Sequence, residues 1–136
     1  MEILIIDAQG GGIGKQLILE IKKNFADANI TAVGTNSVAT TNMLKAGATN
    51  AATGENAVVV ACRRADIIIG PVGIVIADSM YGEITPKMAV AIGQSEAKKL
   101  LIPMNHCNNI IVGVENKRMN EFISETIEEL KSNFNN

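Results

Sequence analysis

Ile3-Leu4-Ile5-Ile6 is an unbroken apolar run that stops at Asp7, and the cluster Gly10-Gly11-Gly12-Ile13-Gly14 follows almost at once. A short apolar run bounded by a turn reads as a fully buried strand. Glycines next to it allow positive φ and close backbone approach. Beyond them Leu17, Ile18, Ile21 and Phe25 recur at helical spacing, so the order is strand, tight turn, helix. A strand apolar on both faces needs cover on both, and the usual solution is a parallel sheet between helical layers. The chain is 47% hydrophobic but only 3% aromatic, which makes that core one of Ile, Val, Leu, Ala and Met.

The remaining pattern continues the alternation. Strands are expected at 2–6, 29–33, 48–52, 66–69 and 99–102. Helices are expected from near Gly14, from a cap at Ser37 to about Lys45, from the Thr53-Gly54-Glu55-Asn56 turn to about Arg64, and from Thr85 to Gly93. Thr85-Pro86 is a strong helix start, with Thr as N-cap and Pro at the first helical position. Residues 70–85 form a long irregular stretch. Ile110 to Val114 reads as a sixth strand. Only Pro103 to Asn109 separates it from the fifth, too few residues for a parallel crossover, so it is expected either to pair antiparallel at the edge or not to pair there. The last helix carries Met119, Phe122, Ile123, Ile127, Leu130 and Phe134 on one stripe. With 136 residues, the expectation is one three-layer α/β domain, Rossmann-like or flavodoxin-like, mostly parallel with an antiparallel edge strand.

In such sheets ligands bind beyond the carboxyl ends of the strands. The residues expected there are Asp7 and Gly10, Gly11, Gly12, Ile13 and Gly14 after strand 1, Asn36 after strand 2, and Glu55 and Asn56 after strand 3. Gly70 and Gly73 follow strand 4, with Asp78 and Glu83 on the irregular stretch, and His106 follows strand 5. The glycine turn at a helix N-terminus suits a phosphate, because free N–H groups and the positive end of the helix dipole converge there. Asn36 is a candidate for sugar or base, or for a helix cap. Asp7 is a candidate for a metal or a ligand hydroxyl, or for an acceptor of N–H bonds from the turn. His106, Glu83 and Asp78 are the candidates for acid–base work.

Established fingerprints match only in part. For G-x-G-x-x-G the third glycine, counted from Gly12 and Gly14, falls on Leu17. The reductase pattern G-x-x-x-G-I-G would need glycine where Ala8 stands. Walker A fails at Gln9 and at Gln16. The acid that holds a ribose hydroxyl about 20 residues beyond the glycines is replaced by Thr35-Asn36-Ser37, and no Arg is there for a 2′-phosphate. No His, Cys and Asp cluster has zinc spacing, so no metal is expected. Cys62 and Cys107 form no CxxC and are read as reduced thiols of a cytoplasmic protein.

The net charge of −2, without a basic cluster, argues against nucleic acid as a partner. The run Ile67 to Ala77 is too short for a membrane span and is broken by Gly70, Pro71 and Gly73. The sequence opens directly on a strand, so no signal peptide is expected. The apolar 70–84 stretch and the small size suggest a homo-oligomer.

The stretches Asp7 to Gly14, Gly34-Thr35-Asn36, Ala52 to Asn56, Gly70 to Ile74, Gly82 to Pro86, Leu101 to Asn105 and Cys107-Asn108 together resemble a family of small bacterial proteins catalogued as a domain of unknown function. The resemblance implies that these turns act as one unit and brings no activity with it. The expected function is binding of a nucleotide, dinucleotide or other phosphorylated small molecule at the first turn. The alternatives are a non-catalytic sensor or oligomeric interaction subunit, and an NAD(P)-dependent oxidoreductase completed by another subunit.

Overall fold

A computed structural model describes residues 1–104 and 108–134 of the chain. Five strands, β1 (Glu2–Asp7), β2 (Asn29–Gly34), β3 (Asn50–Thr53), β4 (Ile67–Pro71) and β5 (Lys98–Ile102), form one sheet in the order β3-β2-β1-β4-β5. Every pairing is parallel. The helices are α1 (Gly12–Asn24), α2 (Ser37–Lys45), α3 (Glu55–Cys62), α4 (Pro86–Gln94) and α5 (Met119–Phe134), with a 3-10 turn at Val72–Val75. The order 3-2-1-4-5 is that of the Rossmann fold rather than of flavodoxin, and the strand order reverses between β1 and β4.

That reversal sorts the helices. The chain steps from β1 to β3 in one direction and from β3 back past β1 to β4 and β5 in the other, so crossovers of one hand put α1 and α2 on one face and α3 and α4 on the other. Alternation along β1 shows both layers. Ile3 and Ile5 face a core made with Leu17, Ile18 and Ile21 of α1, Met43 of α2 and Ile123 and Ile127 of α5. Leu4 and Ile6 face the other core, with Val58 of α3 and Met88 and Ile92 of α4. Ile3 through Ile6 are all at most 2% exposed, as the two-sided burial of a central parallel strand requires.

The expected antiparallel edge strand is not formed. Among the described residues Ile110 to Val114 is irregular. Gly113, at φ +84, lies in the left-handed region, and the Val114 N–H bonds back to the Ile111 carbonyl at 3.3 Å. The β-branched composition favours a strand, but this turn folds the run before a ladder can start. Helix α2 is capped by Asn36 rather than by Ser37: the Asn36 side chain accepts the Ala39 N–H, and Ser37 is the first helical residue. The start of α4 is as expected, with the Thr85 hydroxyl accepting from Met88 N and Pro86 at the first position.

Glycine is required at Gly11 for two separate reasons. Its φ is +73, and a Cβ there would stand 2.8 Å from the Ala39 Cα on α2. Gly12 has a free outer side, with nothing within 4 Å of an added Cβ. Gly11→Ala is therefore expected to lower the unfolding free energy by at least about 1–2 kcal/mol, the cost of a left-handed alanine alone. Gly12→Ala should stay within about 0.5 kcal/mol of the parent, as open surface changes do. Urea unfolding of the two variants checks the contrast.

Candidate functional site

Asp7 ends β1, is 2% exposed, and is held by the backbone it precedes. Its Oδ1 accepts the Ala8 N–H at 2.8 Å and its Oδ2 the Gly14 N–H at 2.7 Å. The carboxylate therefore occupies part of the α1 N-terminus, where the first N–H groups of a helix have no intrahelical partner. Burial pushes the Asp7 pKa above its ordinary value; hydrogen bonds from Gly14, Ala8 and Ile13 act against this, and the nearby charge of Glu83 adds to it. Gly14 gives the carboxylate room, since a Cβ there would lie 3.1 Å from the Asp7 Cβ and 2.4 Å from the Met43 sulfur.

The glycine turn itself is braced from α2. The Gly11 N–H closes onto the Ala8 carbonyl at 3.0 Å, with Gln9 between them at φ +52. The Asn42 amide donates to the Gly10 carbonyl at 2.8 Å. Gly10, Gly12 and Lys15 face solvent, whereas Ile13 and Gly14 are buried.

A second carboxylate completes this edge. Glu83 leaves the connection between β4 and α4 and reaches the ends of β1 and β2. Its Oε1 accepts the Gln9 N–H at 2.9 Å, the Thr35 hydroxyl at 2.6 Å and the Asn36 amide at 2.8 Å. The Asn36 amide also donates to the Gln9 carbonyl at 2.9 Å. Burial acts to raise the Glu83 pKa, but the bonds from Thr35, Gln9 and Asn36 together outweigh it and leave the group below its ordinary value. Two carboxylates near one turn are thus shifted in opposite directions: desolvation governs Asp7, and donors govern Glu83.

The segment that delivers Glu83 is a closed strap. The Asp78 N–H bonds to the Ile84 carbonyl at 2.8 Å, and the Ser79 hydroxyl donates to the Gly73 carbonyl. Asp78, Met80 and Tyr81 have φ of 65, 54 and 57, a conformation that side chains other than glycine adopt at a cost. Met80 and Ile84 are 2% and 0% exposed and hold the strap down. Ile74, Met80 and Ile84 bury within this chain, whereas Tyr81 on the same stretch is fully exposed.

The other expected residues are dispersed. Glu55 accepts the Thr85 hydroxyl at 2.6 Å and ties α3 to α4 rather than joining the Glu83 cluster. Asn56 is exposed on the first turn of α3. Asp78 is exposed. Gly70 serves packing, for a Cβ would meet the Ile6 carbonyl oxygen of β1 at 2.4 Å, and Gly73 is buried. His106 and Cys107 lie outside the described residues. Burial pushes the Cys62 thiol up to about 11, against a weaker opposing effect of Lys99, so it stays protonated and is a poor nucleophile. Among the described residues no group of His, Cys, Asp and Glu could hold a metal ion, and no helix is long and apolar enough to cross a membrane. Open depressions of about 460 and 510 Å³ lie elsewhere, beside Asn50 and Ala61 and beside Val59 and Val90.

The chain belongs to the family described as Domain of unknown function (DUF3842), whose model matches residues 2–135. No curated protein matches it in sequence. Among solved structures it is similar to the FMN-dependent Ubix-like decarboxylase of Escherichia coli O157:H7, a dodecamer, at 11% identity and a TM-score of 0.47, covering 100% of this chain and 95% of that one. It is also similar to the apo saccharopine dehydrogenase (L-Glu forming) of Saccharomyces cerevisiae, at 14% identity and a TM-score of 0.46, covering 72% of this chain and 20% of that one. The chain thus spans 20% of that dehydrogenase. At these identities and TM-scores neither likeness bears on what this chain binds.

The lowered pKa of Glu83 has a definite sign in stability. Its contribution is fully present above the ordinary value of 4.5 and is lost as pH falls through the lower folded value. Asp7, shifted upward, contributes in the opposite sense, but its main cause, burial, is common to the parent and to Glu83→Gln, so most of that contribution cancels in their difference. The stability gap between these two proteins, followed by urea unfolding from pH 6 to pH 3, is expected to be widest above about pH 4.5 and to narrow steadily below it.

Proposed function

We propose that this protein binds a nucleotide or similar phosphorylated small molecule at the carboxyl edge of its sheet, above β1 and β2. One observation carries the reading: the Gln9 N–H, the Thr35 hydroxyl and the Asn36 amide all donate to Glu83 Oε1, which sets a fixed, partly exposed carboxylate beside the outward glycines Gly10 and Gly12. Open α/β sheets place their ligands in this crevice, outside the strand ends and next to the point where strand order reverses.

The ligand's phosphate would lie against the exposed face of Gly10 and Gly12, where no side chain blocks approach. The part of the α1 N-terminus that Asp7 leaves uncapped favours negative charge there. Lys15 is exposed on the first turn of α1. Asp7, Gly11 and Gly14 shape this turn from within. Gly70 and Gly73 shape the strand end beside it, and Glu55 and Asn56, at the start of α3, stand apart from it. The reading is one of binding and assigns no reaction. A cytoplasmic location and assembly into a homo-oligomer belong to the same proposal.

Gly12→Val tests it. The valine enters open space, so the variant should unfold like the parent, yet it would cover the phosphate position. Against a thermal-shift panel of NAD(H), NADP(H), ATP, GTP, FMN and coenzyme A, at least one nucleotide should stabilise the parent, by about 2.7 kcal/mol at 100 times its Kd. That stabilisation should vanish in the variant. A panel without any stabilising ligand, or equal binding by the variant, would overturn the proposal.

A further inference from the structure

The segment after β2, Thr35-Asn36-Ser37, contains no carboxylate, although this is where an acid meets a ribose hydroxyl in dinucleotide sites of this topology. The structure supplies one from elsewhere. Glu83 stands 48 positions from Thr35 in sequence and bonds to its hydroxyl. We infer that Glu83 is the acceptor for the ribose hydroxyls of the ligand, and that it selects a nucleotide whose ribose is free over one that carries a 2′-phosphate. This rests on the nucleotide reading above and goes beyond it by naming the residue that sets the ligand class.

The two oxygens of the carboxylate are used differently. Oε1 takes all three donors, from Gln9, Thr35 and Asn36. Oε2 makes no hydrogen bond within the described residues, and the side chain is only partly buried. An ionised carboxylate is acceptor-only, so the free oxygen asks the ligand for donors. Vicinal hydroxyls provide them. A phosphate monoester brings acceptors and a like charge, and among the described residues no Lys or Arg is bonded to Glu83 to offset it. The same three donors that orient the group also keep it ionised.

The strap favours a fixed acceptor over a plug that a ligand must expel. Glu83 sits between two buried apolar anchors, Met80 and Ile84. The bonds Asp78 to Ile84, Ser79 to Gly73 and Thr85 to Glu55 lock the segment on both sides. Its left-handed residues, Asp78, Met80 and Tyr81, persist only where the surroundings over-determine them. Swinging the carboxylate away would strip the Gln9 N–H, the Thr35 hydroxyl and the Asn36 amide of their shared acceptor, whereas Oε2 is available with those bonds in place.

Isothermal titration of the full chain with ADP, 2′-deoxy-ADP, NAD⁺ and NADP⁺ tests this, on the parent and on Glu83→Gln. The glutamine keeps an oxygen for the three donors and replaces the free oxygen with an amide. The parent should bind ADP over 2′-deoxy-ADP, and NAD⁺ over NADP⁺, by about tenfold or more, as for a hydrogen bond to a charged group. Both ratios should fall to within about twofold in the variant. Ratios near one in the parent, ratios unchanged in the variant, or tighter binding of every probe by the variant (the mark of an expelled plug) would overturn the assignment and leave the nucleotide reading intact. No binding by any of the four would overturn the assignment, and the nucleotide reading would then be decided by the GTP, FMN and coenzyme A members of the thermal-shift panel. If Glu83→Gln does not fold, the parent's ratios decide alone.

Discussion

The buried carboxylate of Asp7 fixes the geometry on which this edge of the molecule depends. Without a partner it would be costly to bury, and its partners are the N–H groups of the turn that it precedes. The bond to Gly14 sets how α1 leaves the sheet, and it needs a residue without a side chain at that position. The next layer builds on this, because α2 meets the same turn through Ala39, Met43 and Asn42. The glycines divide accordingly: Gly11 and Gly14 are internal contacts, and Gly10 and Gly12 remain outward.

Glu83 is a second tie at the same edge, built in the opposite way. Asp7 has exchanged water for two backbone donors at nearly full burial, and desolvation prevails. Glu83 keeps access to solvent while gathering donors from two strand ends, and the donors prevail. The strap that carries it spans the point of strand-order reversal, so β4, β1 and β2 are joined across the crevice by side chains as well as by the ladder. The outcome is an edge with a bonded inner row, an open outer glycine face and one carboxylate oxygen that makes no hydrogen bond within the described residues.

Much of the fold is legible in the residues. The apolar runs Ile3 to Ile6 and Ile67 to Ile69, the stripe from Leu17 to Ile21 and the Thr85-Pro86 start each state their element locally. Local signals mislead where a turn overrides propensity: the run at Ile110 to Val114 has strand composition, but Gly113 turns it back. They also displace a boundary where two residue types compete for one role, as Asn36 and Ser37 do for the α2 cap. The candidate site is less legible. Asp7, the glycines and Asn36 lie at the predicted strand ends, yet Asp7 is committed to backbone groups and Asn36 to backbone groups and Glu83. Gln9 and Thr35 contribute donors that no motif marks. The meeting of Glu83 with Thr35 could not be read from sequence, because it depends on the path of a strap whose left-handed turns fall on Asp78, Met80 and Tyr81 rather than on glycine alone.

The central claim is that a ligand occupies the crevice between the glycine turn and Glu83. Amide chemical-shift mapping during a titration with ADP-ribose, followed by ¹H–¹⁵N correlation spectra, tests it most directly. The account predicts that the largest shifts fall on Gln9, Gly10, Gly12, Thr35, Asn36 and Glu83, while β3 and the outer face of α3 stay unchanged. A saturable shift pattern centred on the depression beside Asn50 and Ala61, or no shifts at all, would contradict it.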